Sequence, residues 1–465
     1  MRTRHLPAGF QAPSLPFILL AALLSTLWVA GGASRGDVAG QVVVRGASWL
    51  VVIVAILFGP RPSAEGARPV LVLLLAALGL VLLQLVPLPP SWWSALPGRE
   101  PFTGAAAGGP DVWRPWSLTP GATVNAASSL IVPFAVLLLA VQLPEAERGR
   151  APGLILCLVA GSTLVGLLQF SGVALDNPLV NDSAGQVAGA FANRNHFALF
   201  LAFGCMLAPV WAFRDGRRPE WRGPVALGLV LLFALTILAS GSRAGLVLGL
   251  LGLGFGLILV RQGIRTALAR HPRWAFPALV AGVLGLLAIF VILSVRADRA
   301  VSIERLTAVD QGSDMRARGL PTVLAMIRDY FPAGSGLGGF DPVFRMHEPF
   351  GLLKLTYFNH AHNDFLEVVL DAGLPGLLLL AAGIAWWAWA SVRAWRAGTG
   401  VRHALPKLGS ATILLLLAAS AVDYPARTPM MMAVAVIAGL WLNMRPGERP
   451  GGRGASALPG DDRPI

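Results

Sequence analysis

The stretch NHAHNDFLEVVLDAGLPG, Asn359 to Gly376, gathers two histidines, three acids and asparagine near the end of a very apolar chain. An imidazole titrates near neutral pH, so His362 could take a proton from an attacking hydroxyl. From His362 onward the pattern reads as helical, with Leu366, Val369 and Gly373 on its face at spacings of four, seven and eleven. On that reading His362 starts a span at its outer mouth. Asp364 and Glu367 then lie in the first turns, where acids interact favourably with the helix dipole, and Asp371 follows a turn later. Plain interfacial capping accounts for the acids equally well. His360 and His362 by themselves are a weak metal signal, because no further ligands stand at recognised spacings.

Three other clusters carry polar groups where an apolar chain has little use for them. In ASGSRAGLVLGL, Arg243 sits in a very short turn between two apolar runs. It can snorkel to lipid phosphates or grip a substrate phosphate with its planar fork of donors. In GAFANRNHFALFLAF, Asn193, Arg194, Asn195 and His196 crowd the start of a span, more polar groups than a cap requires, though a solvated helix start would also hold them. In SDMRARGL, Arg316 and Arg318 precede PTVLAMIRDYF, an amphipathic segment that could lie along a membrane surface. Arginines and a histidine at one membrane face suit an anionic, lipid-linked substrate: guanidinium groups neutralise phosphate while imidazole removes a hydroxyl proton.

The elements that must position these groups are membrane helices. Of 465 residues 55% are hydrophobic and 13% charged, and the mean hydropathy is +0.66, outside the range of soluble domains. Runs such as VLVLLLAALGLVLLQLV lack the alternation of a membrane barrel strand. The fold expected is all-α, a polytopic integral membrane protein of about twelve transmembrane helices. The spans fall at 15–32, 42–59, 70–86, 125–142, 153–171, 196–213, 224–240, 243–260, 275–295, 363–390, 407–422 and 429–444. Met1 to Ser34 has features of a signal sequence but reads better as an uncleaved first span. Cys157 and Cys205 both lie in apolar runs, which argues against a disulfide framework.

The net charge of +13 is concentrated in short connectors, as expected of positive charge on the cytoplasmic side rather than of nucleic-acid binding. Alternate connectors put Arg2, Arg61, Arg214, Arg222, Arg261, Arg393 and Arg445 inside, with both termini. The division expected is a cytoplasmic tail at 1–14, spans one to nine over 15–295, a large extracytoplasmic loop at 296–362, spans ten to twelve over 363–444 and a disordered cytoplasmic tail at 445–465. That loop holds FPAGSGLGGF, whose glycines suit tight turns.

HNDFLEVVLDAGLPG also fits a spacing of His, then Asn, nine residues, Gly, two residues, Gly. In this it resembles the bacterial O-antigen ligase family, which includes Wzy-type polymerases and some protein O-oligosaccharyltransferases. LQLVPLP, WSLTPGAT, GAFANRNHFALFLAF, GSRAG and MRARGLPTVLAMIRDYFPAGSGLGGF are similar to family segments in the usual order, from about Leu83 to Gly376. The resemblance implies a metal-independent, inverting glycosyltransferase of the bacterial inner membrane with its active site facing the periplasm. It implies transfer of a glycan from undecaprenyl diphosphate to an acceptor hydroxyl on lipid A-core, another glycan or a protein. No cofactor and no nucleic-acid partner are expected, and membrane lipids surround the chain. By the same resemblance His362 is the base, Arg243 and Arg316 hold the diphosphate, the latter through its spacing to Leu320, and Arg194 lines that site by a looser match. Asn193, His196, Asn363, His360 and Arg318 complete the expected substrate contacts. The rival class is a transporter or flippase for an anionic lipid-linked sugar. Transporters place polar groups on broken helices near the midplane, whereas these gather at one face.

Overall fold

The computed structural model describes residues 12–444, apart from breaks at 63–65, 104–110, 174, 176, 181–185, 215–218, 354–357, 399 and 401–402, and most of 270–314. Among the described residues the chain is helical, with a single two-residue antiparallel pairing between β1 (Pro87–Leu88) and β2 (Arg114–Pro115). The helices of eight residues or more are α1 (Leu15–Ala30), α2 (Ala39–Phe58), α3 (Arg68–Gln84), α4 (Pro120–Ser129), α5 (Ile131–Gln142), α6 (Ala151–Phe170) and α7 (Arg194–Ala212). They continue with α8 (Arg222–Ser240), α9 (Arg243–Leu268), α10 (Met315–Tyr330), α11 (Phe340–His347), α12 (Asp364–Arg396), α13 (Ala404–Ser420) and α14 (Pro429–Asn443).

Seven helical stretches are long and apolar enough to cross a membrane, and α1, α3, α13 and α14 are shorter apolar helices. The chain is thus an all-α, multi-pass membrane protein. These eleven stretches match the expected spans in order, while the one expected at 275–295 falls almost wholly outside the described residues. Some boundaries differ. The fourth span begins at Pro120 and is joined from α4 and α5, and α9 runs on to Leu268, past the expected 260.

Helix α7 is apolar on all sides and is the centre of the bundle: every residue from His196 to Val210 is buried. Glycines let α9 approach it closely. A Cβ on Gly245, Gly252 or Gly256 would strike Ala198, Ala202 or Met206 in turn, so the two helices run parallel with their N-termini together. This pairing brings the Arg243 end of α9 to the Asn193–His196 end of α7.

A second apolar core lies where α10, α11 and the start of α12 meet, built on Val323, Met326, Tyr330, Phe340, Phe344, Phe358 and Leu370. Phe340, Phe344 and Phe358 stack in series at 5.2 Å, and Phe358 meets the His362 ring edge-on at 5.6 Å. One side of PTVLAMIRDYF, at Val323, Met326 and Tyr330, is therefore turned onto protein. Val323 and Met326 gain burial from the phenylalanine stack, while Leu324 and Phe331, with Leu320 just before the segment, stay exposed.

Inside α12 the helix breaks at Gly373 (φ 57°, ψ −143°). The loop FPAGSGLGGF docks at the break: the N–H groups of Ser335 and Gly336 donate to the Leu370 and Asp371 carbonyls, and Leu374 N–H donates to Pro332. Gly334, Gly336 and Gly338 all take positive φ, as tight turns require. A Cβ on Gly373 would collide with the Pro332 carbonyl, in a backbone region closed to other residues. Gly373→Ala is expected to cost about 2 kcal/mol or more. A lowered melting temperature in detergent is the check, and an unchanged one would contradict this account of the break.

Candidate active site

Eight residues, Ala421 to Thr428, connect the end of α13 to the start of α14, and Asp423 in this connector is the hub of the site. Its side chain is 3% exposed. Oδ1 accepts from His362 Nδ1 at 3.1 Å and from the Tyr424 backbone N–H at 3.1 Å. Oδ2 accepts from Asn195 Nδ2 at 2.6 Å, Asn193 Nδ2 at 3.2 Å and Arg316 Nη2 at 3.2 Å. Burial alone would raise the Asp423 carboxyl, but the His362 hydrogen bond and the charges of His196, Arg316 and His362 outweigh it and hold it well below the usual range. Asp423 is therefore ionised at neutral and mildly acidic pH. A folded-state value below the unfolded one means this stability is present above the ordinary carboxylate range and lost only as pH falls through the depressed value.

His362 lies outside the helix. Asn363 is the N-cap of α12, with Oδ1 accepting from Leu366 N–H at 3.0 Å and Nδ2 donating to Ala421 O at 2.8 Å. His362 precedes it in the left-handed region at φ 52°. This corrects the expectation that His362 shares a helical face with Leu366 and Gly373: capping by Asn363 starts the helix two residues later and turns the imidazole sideways onto Asp423. Its side chain is 20% exposed. In a neutral imidazole the carboxylate at Nδ1 fixes the proton on that nitrogen and leaves the lone pair on Nε2.

A second cluster adjoins the first. Arg427 Nε reaches Asp364 Oδ1 at 3.3 Å, and Nη1 reaches Glu367 Oε1 at 3.1 Å and Asp371 Oδ2 at 3.6 Å. Burial would lower the Arg427 guanidinium, but the three carboxylates raise it above even the ordinary arginine value. Glu367 also accepts from His360 Nδ1 and Ala361 N–H, both at 2.8 Å, and His360 Nε2 meets Ser34 Oγ at 3.0 Å. The acids of α12 thus face inward onto an arginine. Tyr424 joins the clusters, its ring 4.2 Å from His360 and 5.0 Å from both His362 and His196. Burial, then the Asp423 charge, pushes its hydroxyl up to about 12.

Of the expected residues, the fold brings His362, Arg316 and Asn193 onto one carboxylate. His196 lies buried beneath, its Nε2 4.0 Å from Asp423 Oδ1. Arg243 opens α9 directly after Ser242, whose Oγ donates to Asn195 Oδ1 at 2.8 Å, so the helix start is tied to the cluster. Three expected contacts lie elsewhere. Arg318 donates to Gly351 O at 2.6 Å, because two residues along α10 from Arg316 lies another face of the helix. His360 serves the Glu367 cluster, and Asn363 is a cap. Arg194, half-buried at the start of α7, makes no hydrogen bond or ion pair with Asp423 among the described residues. Among those residues no three His, Cys, Asp or Glu side chains are grouped to hold a metal ion.

Asp423, Tyr424 and Arg427 were not expected. The signal was an acid, a tyrosine and an arginine together in the short connector AVDYPART, on the same side of the membrane as His362 by alternate counting of spans.

Comparison with known proteins bears on the same region. Residues 228–381 match the family model described as O-antigen ligase, a segment that holds Arg243, Arg316 and His362. Over 231 residues the chain is 27% identical to a protein of Rhizobium meliloti (strain 1021) named exopolysaccharide production protein ExoQ, covering 48% of this chain and 50% of that one. The chain thus spans about half the length of this curated relative. In keeping with its histidine and arginine motifs, the chain carries an O-antigen ligase family segment over residues 228–381.

Proposed function

We propose that this protein is an inverting glycosyltransferase that moves a glycan from undecaprenyl diphosphate to an acceptor hydroxyl on the periplasmic side of the bacterial inner membrane. The observation that carries the reading is the carboxylate of Asp423, which holds His362 and Arg316 together. A base fixed through one ring nitrogen by an ionised carboxylate presents the other nitrogen to a hydroxyl. In this reading His362 Nε2 takes the proton from the acceptor as its oxygen attacks the anomeric carbon. The bond from that carbon to the diphosphate oxygen breaks, and undecaprenyl diphosphate leaves with the electron pair. Arg316 and Arg243 bind the diphosphate and neutralise the charge that develops there, so the reaction needs no metal. Asn193 and His196 support the cluster, and Arg194 lines the donor site from the start of α7.

The arrangement in the membrane belongs to the same proposal: tails at 1–14 and 445–465 in the cytoplasm, and the connector 296–362 outside with the site. The relative's name speaks of exopolysaccharide production, which favours a growing glycan as acceptor over lipid A-core or protein.

Purified protein in vesicles with undecaprenyl-diphosphate glycan and each candidate acceptor tests the proposal. Consumption of the donor with a new glycosidic bond is expected. Movement of intact donor across the bilayer without loss of its diphosphate linkage would replace the transferase by a transporter.

A further inference from the structure

A chamber of about 820 Å³ opens between α2, α3, α4 and α12. His360 and Arg427 form part of its wall, whereas His362, Arg316 and Asp423 do not line it. His360, on its wall, meets Tyr424 of the Asp423 connector with the ring centroids 4.2 Å apart and the planes tilted by 40°.

Its charges do not balance evenly. Arg427 is matched by three acids, Arg35 pairs with Asp37, and Arg345 pairs with Asp341. Arg45 differs. It stands in the second turn of the membrane-spanning α2, and Nη2 donates to the neutral Asn125 Oδ1 at 2.7 Å and to Gln41 Oε1 at 3.4 Å. Its Nε is buried with no hydrogen-bond partner, and among the described residues no carboxylate pairs with it. A guanidinium in a span without an opposite charge is costly, and such groups mark ligand or ion sites. Part of its lining is aliphatic, made by Leu80 of α3 and Leu379 and Leu380 of α12.

We propose that this chamber binds an anionic lipid, its phosphate on Arg45 and an acyl chain along Leu80, Leu379 and Leu380. The charge selects the phosphate, since guanidinium offers it paired donors. The apolar wall selects a lipid over a free anion, because inorganic phosphate gains nothing from it. This site is additional to the donor site, and its occupancy is read without any glycan.

The test uses the full chain in a neutral detergent, with dioctanoyl phosphatidylglycerol, dioctanoyl phosphatidylcholine and inorganic phosphate as probes. Binding is followed by thermal stabilisation and native mass spectrometry. Phosphatidylglycerol is expected to bind the wild type, and Arg45→Gln to weaken it about tenfold or more, a loss of about 1.4 kcal/mol. Arg45→Lys should retain much of the affinity, and Leu379→Trp should lower it by filling the aliphatic half with Arg45 intact. Equal binding of the two lipids, or wild-type affinity in Arg45→Gln, would overturn the proposal. Inorganic phosphate binding as tightly as phosphatidylglycerol would make this a soluble-anion site and overturn the lipid assignment. If Arg45→Gln does not fold, Leu379→Trp decides: undiminished phosphatidylglycerol binding there rejects the site.

Discussion

Asp423→Asn is expected to lower glycan transfer by roughly three orders of magnitude, with a much smaller loss of stability. The amide has the size of the carboxylate but no charge. It can present its NH2 to His362 Nδ1, which reverses the tautomer and puts the ring proton on the nitrogen that must accept one. It also weakens the ion pair that holds Arg316 at 3.2 Å. Initial rates in reconstituted vesicles, with the folded fraction checked by size exclusion, give the measurement. Because Asp423 acts through His362, the double variant with His362→Ala should be little worse than either single one. A rate for Asp423→Asn within tenfold of wild type would remove the carboxylate from the mechanism.

Arg427→Met is expected to be the most damaging substitution for the fold. The Glu367 and Asp371 side chains are 0% exposed and face this guanidinium. Removing one partner of a buried ion pair strands the others without a counter-charge, at a cost of about 3–5 kcal/mol. The outcome should be a lowered melting temperature and poor recovery of folded protein from the membrane. Arg427→Met combined with Asp371→Asn should recover part of the loss, because one of the stranded charges is then gone. A single variant that melts with the wild type would mean that these acids are satisfied without Arg427.

The membrane class and the order of spans were legible in the sequence because long apolar runs admit few other structures. The elements of the site were legible where a residue's type was costly in its place: Arg243 in a very short turn, His362 before a span, polar residues crowded at 193–196. Hidden from the sequence were the contacts that fold the last connector back. Asp423 lies 61 residues beyond His362, and the packing of α13 on α7 and α12 brings them together. Asp364, Glu367 and Asp371 follow a spacing of three and four, which places them on one helical face. Their partner, 56 residues beyond Asp371, has no local signature. His362 was read into the helix because Leu366, Val369 and Gly373 follow it at helical spacing, whereas Asn363 sets the boundary by capping. Arg318 resembled Arg316 in composition but differs in helical phase.

The two roles at the Asp423 cluster separate in one measurement: single-turnover transfer from undecaprenyl-diphosphate glycan, with donor affinity read in the same titration, for His362→Ala and Arg316→Ala. The account predicts that His362→Ala binds donor as wild type and loses the chemical step by about two to four orders of magnitude. It predicts that Arg316→Ala loses both donor affinity and rate. Wild-type turnover in His362→Ala, or unaltered donor binding and rate in Arg316→Ala, would contradict it.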